Sequence, residues 1–174
     1  YDAFFYITKA QVSEFRAWYN CSQDPDCNVS ENFPNYSIPN EIMNWPAHGD
    51  IGRFQDYFLA PFFDHPNSVQ GVYDPLNGDY PWYDLDKEID CRTERKVTLY
   101  GDFTLWWVFN DKGNIHTESG GDPIGMEIRA QAFAFATNDE VNNMTFYNYE
   151  MINRSTQVLT ETYFAVYVDP DIGY

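Results

Sequence analysis

A chain of 174 residues, 44% of them hydrophobic, is long enough to bury a real core as one domain without metal or disulfide staples. Its 10 Lys and Arg stand against 27 Asp and Glu, a formal net charge of −17 that argues against nucleic acid and anionic membrane as partners. No stretch approaches the roughly 20 apolar residues of a membrane span, which argues against insertion. In chain order, residues 1–7 (YDAFFYI) form an aromatic, apolar run that reads as a strand or extended packing segment. Thr8-Lys9-Ala10-Gln11 then has the form of a capping box, with Ile7 and Val12 placed as a hydrophobic staple. Val12, Phe15, Trp18 and Tyr19 recur at helical spacing, which predicts a helix over residues 9–20.

Residues 21–61 are rich in loops, with Asp-Pro, Phe-Pro-Asn, Ile-Pro-Asn and Trp-Pro-Ala-His-Gly-Asp turns and a short helix expected near Asn40. Of the three cysteines, Cys21 and Cys27 are close enough to close a small loop, and Cys91 is left over. A Cys21–Cys27 disulfide would indicate an oxidising compartment. The chain begins at Tyr1 without Met and shows no signal peptide. Both ends read as cuts inside a longer polypeptide.

The segment over residues 64–79 (DHPNSVQGVYDPLNGD) sets acid and amide oxygens among prolines and glycines, and cannot be a regular helix or strand. Oxygen ligands at short intervals on a turning loop suit a hard cation such as Ca²⁺, with Asp64, Asp74 and Asp79 as carboxylate ligands and Asn67 as a helper. Such an ion would be structural. The alternative is that these residues form turns through Asx hydrogen bonds.

The second half changes character. Residues 96–100 and 102–109 read as strands. In the second, Phe103, Leu105, Trp107 and Phe109 share one face and Trp106 and Val108 the other, as in a central strand covered on both sides. Residues 124–136 alternate as a half-buried strand, and residues 145–153 and 160–169 continue the pattern, with Phe164, Val166 and Val168 on one face of the last. Strands separated by turns, with no intervening helices, predict a mostly-β fold: an antiparallel β-sandwich or jelly-roll-like sheet with an N-terminal helix and long irregular loops. We read residues 1–174 as one domain, residues 1–95 being the helix with its loop-rich wrapping and residues 96–174 the sheet core.

Catalytic signatures are lacking. His48, His65 and His116 are scattered, and there is no Gly-rich phosphate loop, HExxH or Gly-x-Ser-x-Gly. The chain reads as a non-enzyme. Trp82-Tyr83, in an acidic insertion holding Asp84, Asp86, Glu88 and Asp90, is the best exposed aromatic pair for stacking on a sugar.

Several phrases in order carry a resemblance. They are Ile7-Thr8-Lys9-Ala10, Trp45-Pro46-Ala47-His48-Gly49-Asp50, Ala60-Pro61-Phe62, Gly71-Val72-Tyr73-Asp74-Pro75, Gly78-Asp79-Tyr80-Pro81, Trp107-Val108-Phe109-Asn110-Asp111, Asn153-Arg154-Ser155 and Asp169-Pro170-Asp171-Ile172-Gly173. Together they resemble a region of large secreted or cell-surface proteins of Bacteroidota that often carry a type IX secretion sorting domain. The resemblance covers nearly the whole chain, although the loop over residues 64–71 is longer and less acidic than the family's pattern. It implies an extracellular, cell-surface location, with neighbouring domains of the same long chain, the type IX secretion machinery or surface glycans as partners. The expected function is a structural or adhesive module stabilised by calcium; the alternative is a carbohydrate-binding module attached to a degradative enzyme.

Overall fold

The computed structural model describes residues 3–49, 58–89 and 97–169. Strand β1 (Phe5–Thr8) runs into helix α1 (Lys9–Gln23) with no intervening loop. Thr8 is the hinge. Its backbone is extended, its side chain accepts the Gln11 N–H at 3.1 Å, and the Gln11 side chain accepts the Thr8 N–H at 3.0 Å. This is the predicted capping box; with Ile7 and Val12 both fully buried, the staple beneath it is also in place. The helix outlasts the predicted residues 9–20 and ends at Gln23, where the Asp24 N–H bonds the Cys21 carbonyl. A Cys21–Cys27 disulfide, Cα atoms 5.2 Å apart, then turns the chain. Two single-turn helices follow, α2 (Val29–Asn32) and α3 (Asn40–Met43), the latter where Asn40 predicts it.

Strands β2 (Phe62–Phe63) and β3 (Tyr80–Pro81) form a two-residue ribbon that pinches off residues 64–79. The main sheet adds β4 (Phe103–Asn110), β5 (Met126–Ala134) and β6 (Phe146–Asn153), in the order β1-β4-β5-β6 and antiparallel throughout. Among the described residues the protein is thus mostly β, with antiparallel sheets, one long helix and two short ones, and the described strands do not close into a barrel.

The core lies on one side of this sheet. Ile7, Thr104 and Trp106 project from β1 and β4 toward α1, α3 and the loops, where Val12, Phe15, Ile42 and Trp45 meet them. Complete burial of each such side chain is worth about 1.5–3 kcal/mol. Tyr83 reaches in from its loop, its hydroxyl donating to Thr104 Oγ1 at 2.9 Å and lying 3.3 Å from the Ile7 carbonyl. Trp45 Nε1 is satisfied by the Pro61 carbonyl at 3.0 Å.

Four expectations are corrected. Residues 97–100, the described part of the predicted strand over residues 96–100, form no strand, Leu99 making only a single bridge to Tyr83. Residues 160–169 form no strand and bend at Glu161, where φ is +52°, and Phe164, Val166 and Val168 are exposed. The division at residue 95 does not describe the sheet, because β1 pairs with β4, Phe5 lying opposite Trp106. Finally, β4 is central in the sheet but covered by described residues on one face only: Phe103 and Phe109 remain 40% and 44% exposed. Cys91, Asp50, Asp90 and the phrase over residues 170–173 lie outside the described residues.

Candidate functional site

The loop over residues 64–79 is organised by its acids, which hold the chain itself. Asp79 is fully buried; Oδ1 accepts the His65 N–H and Oδ2 the Asp74 N–H, both at 2.7 Å. Asp64 Oδ2 accepts the Gly71 N–H at 2.7 Å, and Oδ1 accepts the Ser68 hydroxyl at 3.1 Å. Asp74 caps the 3₁₀ turn Pro75–Asn77, its Oδ1 receiving the Leu76 N–H at 3.0 Å and its Oδ2 the Asn77 amide at 2.7 Å. Asn67 turns away: its amide donates to the Tyr19 hydroxyl at 3.4 Å, and its backbone N–H to His65 Nδ1 at 3.1 Å. The Tyr19 hydroxyl in turn donates to the Asn77 carbonyl at 2.9 Å, tying the loop to α1. Gly78 is required here. Its φ is +102°, and a Cβ would sit 2.7 Å from the Tyr19 ring and 2.8 Å from His65.

The structure therefore brings Asp74 and Asp79 together through the Asp74 N–H, and sends Asp64 and Asn67 to separate partners. In this arrangement the oxygens of Asp64, Asp74 and Asp79 each accept at least one N–H or O–H from the loop itself. Among the described residues, no group of three or more His, Cys, Asp or Glu side chains is placed to hold a metal ion.

The histidines occupy three separate places. His48 packs against the stacked rings of Phe58 and Phe62, with ring centroids 5.1 and 5.3 Å away. His65 packs edge-on to Tyr19, and His116 Nε2 lies 2.7 Å from the Asp111 carbonyl. Trp82 and Tyr83 are not the exposed sugar platform expected of them: Tyr83 is 3% exposed, and Trp82 packs against the core. A cleft of about 600 Å³ opens beside Asp111, Lys112, Glu127 and Arg154. Three of its four charged groups are engaged internally. Asp111 accepts the N–H groups of Ile124, Gly125 and Met126, and Glu127 pairs with Arg129 at 2.8 Å and Arg154 at 3.1 Å.

The feature that sequence reading missed is the second face of the main sheet. The register places Tyr6, Leu105, Ala132 and Tyr147 in one row across the four strands, with Trp107, Ala130 and Tyr149 in the next. Tyr6, Tyr147, Tyr149 and Met151 are 42–60% exposed. Polarity is inverted on β5, where Glu127, Arg129 and Gln131 face the covered side and Met126, Ile128 and Ala130 the open one. Gln131, 3% exposed, donates to the Thr98 carbonyl at 3.0 Å. The two-residue alternation was legible in the sequence, but the side on which the helix would pack was not.

No described helix is long and apolar enough to cross a membrane. Comparison with protein-family models, with curated proteins and with solved structures returned no match.

Proposed function

We propose that this chain is a non-catalytic structural or adhesive module of a large exported surface protein, and that its four-stranded sheet is one half of a β-sandwich. The observation that carries this reading is the apolar sheet face turned away from the core. A sheet that directs ion pairs inward and tyrosines outward is built to be covered by another layer. The Cys21–Cys27 disulfide suits an oxidising location, and the net charge of −17 suits solubility there. Export through type IX secretion to a Bacteroidota cell surface rests on the ordered phrases of the sequence. Neighbouring domains of the same chain are the natural partners of such a module.

One observation favours the second reading, a carbohydrate-binding module. Tyr147 and Tyr149 lie nearly parallel on the open face, 8° between planes and 6.4 Å between centroids, as do Tyr6 and Phe103 at 23° and 6.2 Å. Parallel exposed rings can stack on sugar faces. Leu105, Ile128 and Met151 among them favour a packing surface, since a sugar also needs polar groups for its hydroxyls.

A glycan array probed with the folded chain separates the two. The structural reading expects no bound glycan, together with labelling of intact, unpermeabilised cells by antibody against the chain. Glycan binding that disappears in Tyr149→Ala would replace it with the carbohydrate reading.

A further inference from the structure

The open face is self-complementary, and we propose that it is a face-to-face interface with a second copy of this chain, the two four-stranded sheets closing into one sandwich. This rests on the half-sandwich reading above and names the occupant.

Area points to an occupant of that size. Phe4, Tyr6, Phe103, Phe109, Tyr147 and Tyr149 are 40–69% exposed on the side of the sheet opposite the core. With an aromatic side chain offering about 150–250 Å², the face presents on the order of 800 Å² once its aliphatic residues are included. That exceeds the roughly 300–600 Å² of the largest patch on a typical monomer. It matches the roughly 800 Å² that each partner contributes to a stable interface.

Shape agrees. In successive rows, Ala130 lies between Trp107 and Tyr149, and Ala132 between Leu105 and Tyr147. Ala130 and Ala132 are 0% and 8% exposed, so their larger neighbours on β4 and β6 close over β5 and the face is one continuous apolar layer. A two-fold axis then lays that layer against its copy, at the roughly 10 Å spacing of packed sheets.

Charge selects the same surface. The strand positions of this face (103, 105, 107 and 109; 126 to 134 in steps of two; 147 to 153 in steps of two) hold no Asp, Glu, Lys or Arg. In a chain of net charge −17, an uncharged surface is where two copies can meet. The exposed segment over residues 160–169 is too narrow to cover it. A single strand spans about 4.8 Å of a four-stranded sheet nearly four times as wide.

Sedimentation equilibrium of the 174-residue chain from about 1 to 500 μM tests this, at about 0.05 M and 0.5 M NaCl. We expect a monomer–dimer equilibrium that tightens as salt screens the like charge of the two copies. Trp107→Glu and Tyr149→Glu should each weaken it about 100-fold or more, the scale of an interface anchor, without changing the far-UV circular dichroism. Should Trp107→Glu misfold, Tyr147→Glu at a 60% exposed position serves instead, with Ile115→Glu, 88% exposed and off the face, as the control that leaves association intact. A chain monomeric over the whole range overturns self-association; if that monomer binds a hydrophobic dye in a manner lost in Tyr149→Glu, the half-sandwich reading stands without it. A dimer indifferent to the face variants and broken by Val166→Lys overturns it in favour of exchange of the segment over residues 160–169.

Discussion

Asp79 carries more of the loop than any other residue. It is fully buried, and each oxygen holds one backbone N–H, from His65 before the loop's first turn and from Asp74 before its last. Asp79→Ala leaves two part-buried donors without their acceptors, each costing about 1–3 kcal/mol. We expect a loss of about 3 kcal/mol by urea unfolding; Asp74→Ala, which acts at the exposed rim, should cost about 1 kcal/mol. Asp79→Asn should fall between them, because its amide nitrogen must face one of the two N–H groups. A loss under about 1 kcal/mol in Asp79→Ala would show that water replaces the carboxylate and that the loop is not organised by it. The same samples test calcium. A folded-state ion at about 100-fold over its Kd adds roughly 2.7 kcal/mol, so a rise in stability of that size in millimolar Ca²⁺ over EDTA would place an ion in the loop, and coincident melting curves would leave it to turn chemistry alone. The acids and amides of this loop were recognisable from sequence as turn formers or ligands. Which of the two they are depends on where the N–H groups point, and that is set by the β2–β3 ribbon and by Tyr19 on α1.

At the scale of elements, β5 and β6 are locked on their polar side by charge. Glu127 on β5 meets Arg129 on the same strand and Arg154 just beyond β6, and Arg129 reaches Glu150 on β6 at 3.7 Å. Burial acts to raise the Glu127 pKa, but the hydrogen bonds and charges of Arg154 and Arg129 outweigh it and hold the carboxyl below its ordinary value of 4.5. Because the folded pKa is the lower one, the stabilisation is complete above 4.5 and disappears as pH falls through the folded value. Arg154→Met should therefore cost at most about 1 kcal/mol at neutral pH, Arg154 being partly exposed. It should also flatten the acid limb of the stability curve. Parallel acid limbs for Arg154→Met and the parent, from urea midpoints below about pH 5, would show that the pair does not clamp the hairpin. Strands β5 and β6 were legible in the sequence, read over residues 124–136 and 145–153 against the observed Met126–Ala134 and Phe146–Asn153. Their alternation alone, however, assigns Met126, Ile128 and Ala130 to the main core, and the structure places them on the opposite sheet face, where Met126 and Ala130 are nonetheless buried. The α1 capping box, by contrast, was legible in full, since Thr8 and Gln11 complete it within one turn.

For the whole molecule, what escaped sequence reading is long-range. Nothing near Phe5 announces Trp106 as its partner, and nothing near Trp82-Tyr83 says that this acidic stretch folds back so that Tyr83 bonds Thr104. Those contacts make the two halves of the chain one unit. The core cluster runs from Ile7 through Phe15, Ile42 and Tyr80 to Trp106, so the α1 layer cannot leave without β4. We therefore expect a single urea transition in which tryptophan fluorescence and far-UV circular dichroism coincide. Within it, protection should be graded. Strand β4 lies between β1 and β5 and contributes Trp106 to the core, so its amides should exchange only through global unfolding, while the outer edge of β6, which no described strand pairs, should exchange through local opening. Native-state hydrogen exchange at low protein concentration, where any dimer is dissociated, reads this directly. Protection falling from β4 through β5 to β6 fits a sheet held on one face alone. Equal protection across the three strands would mean that another layer already covers the open face within the monomer.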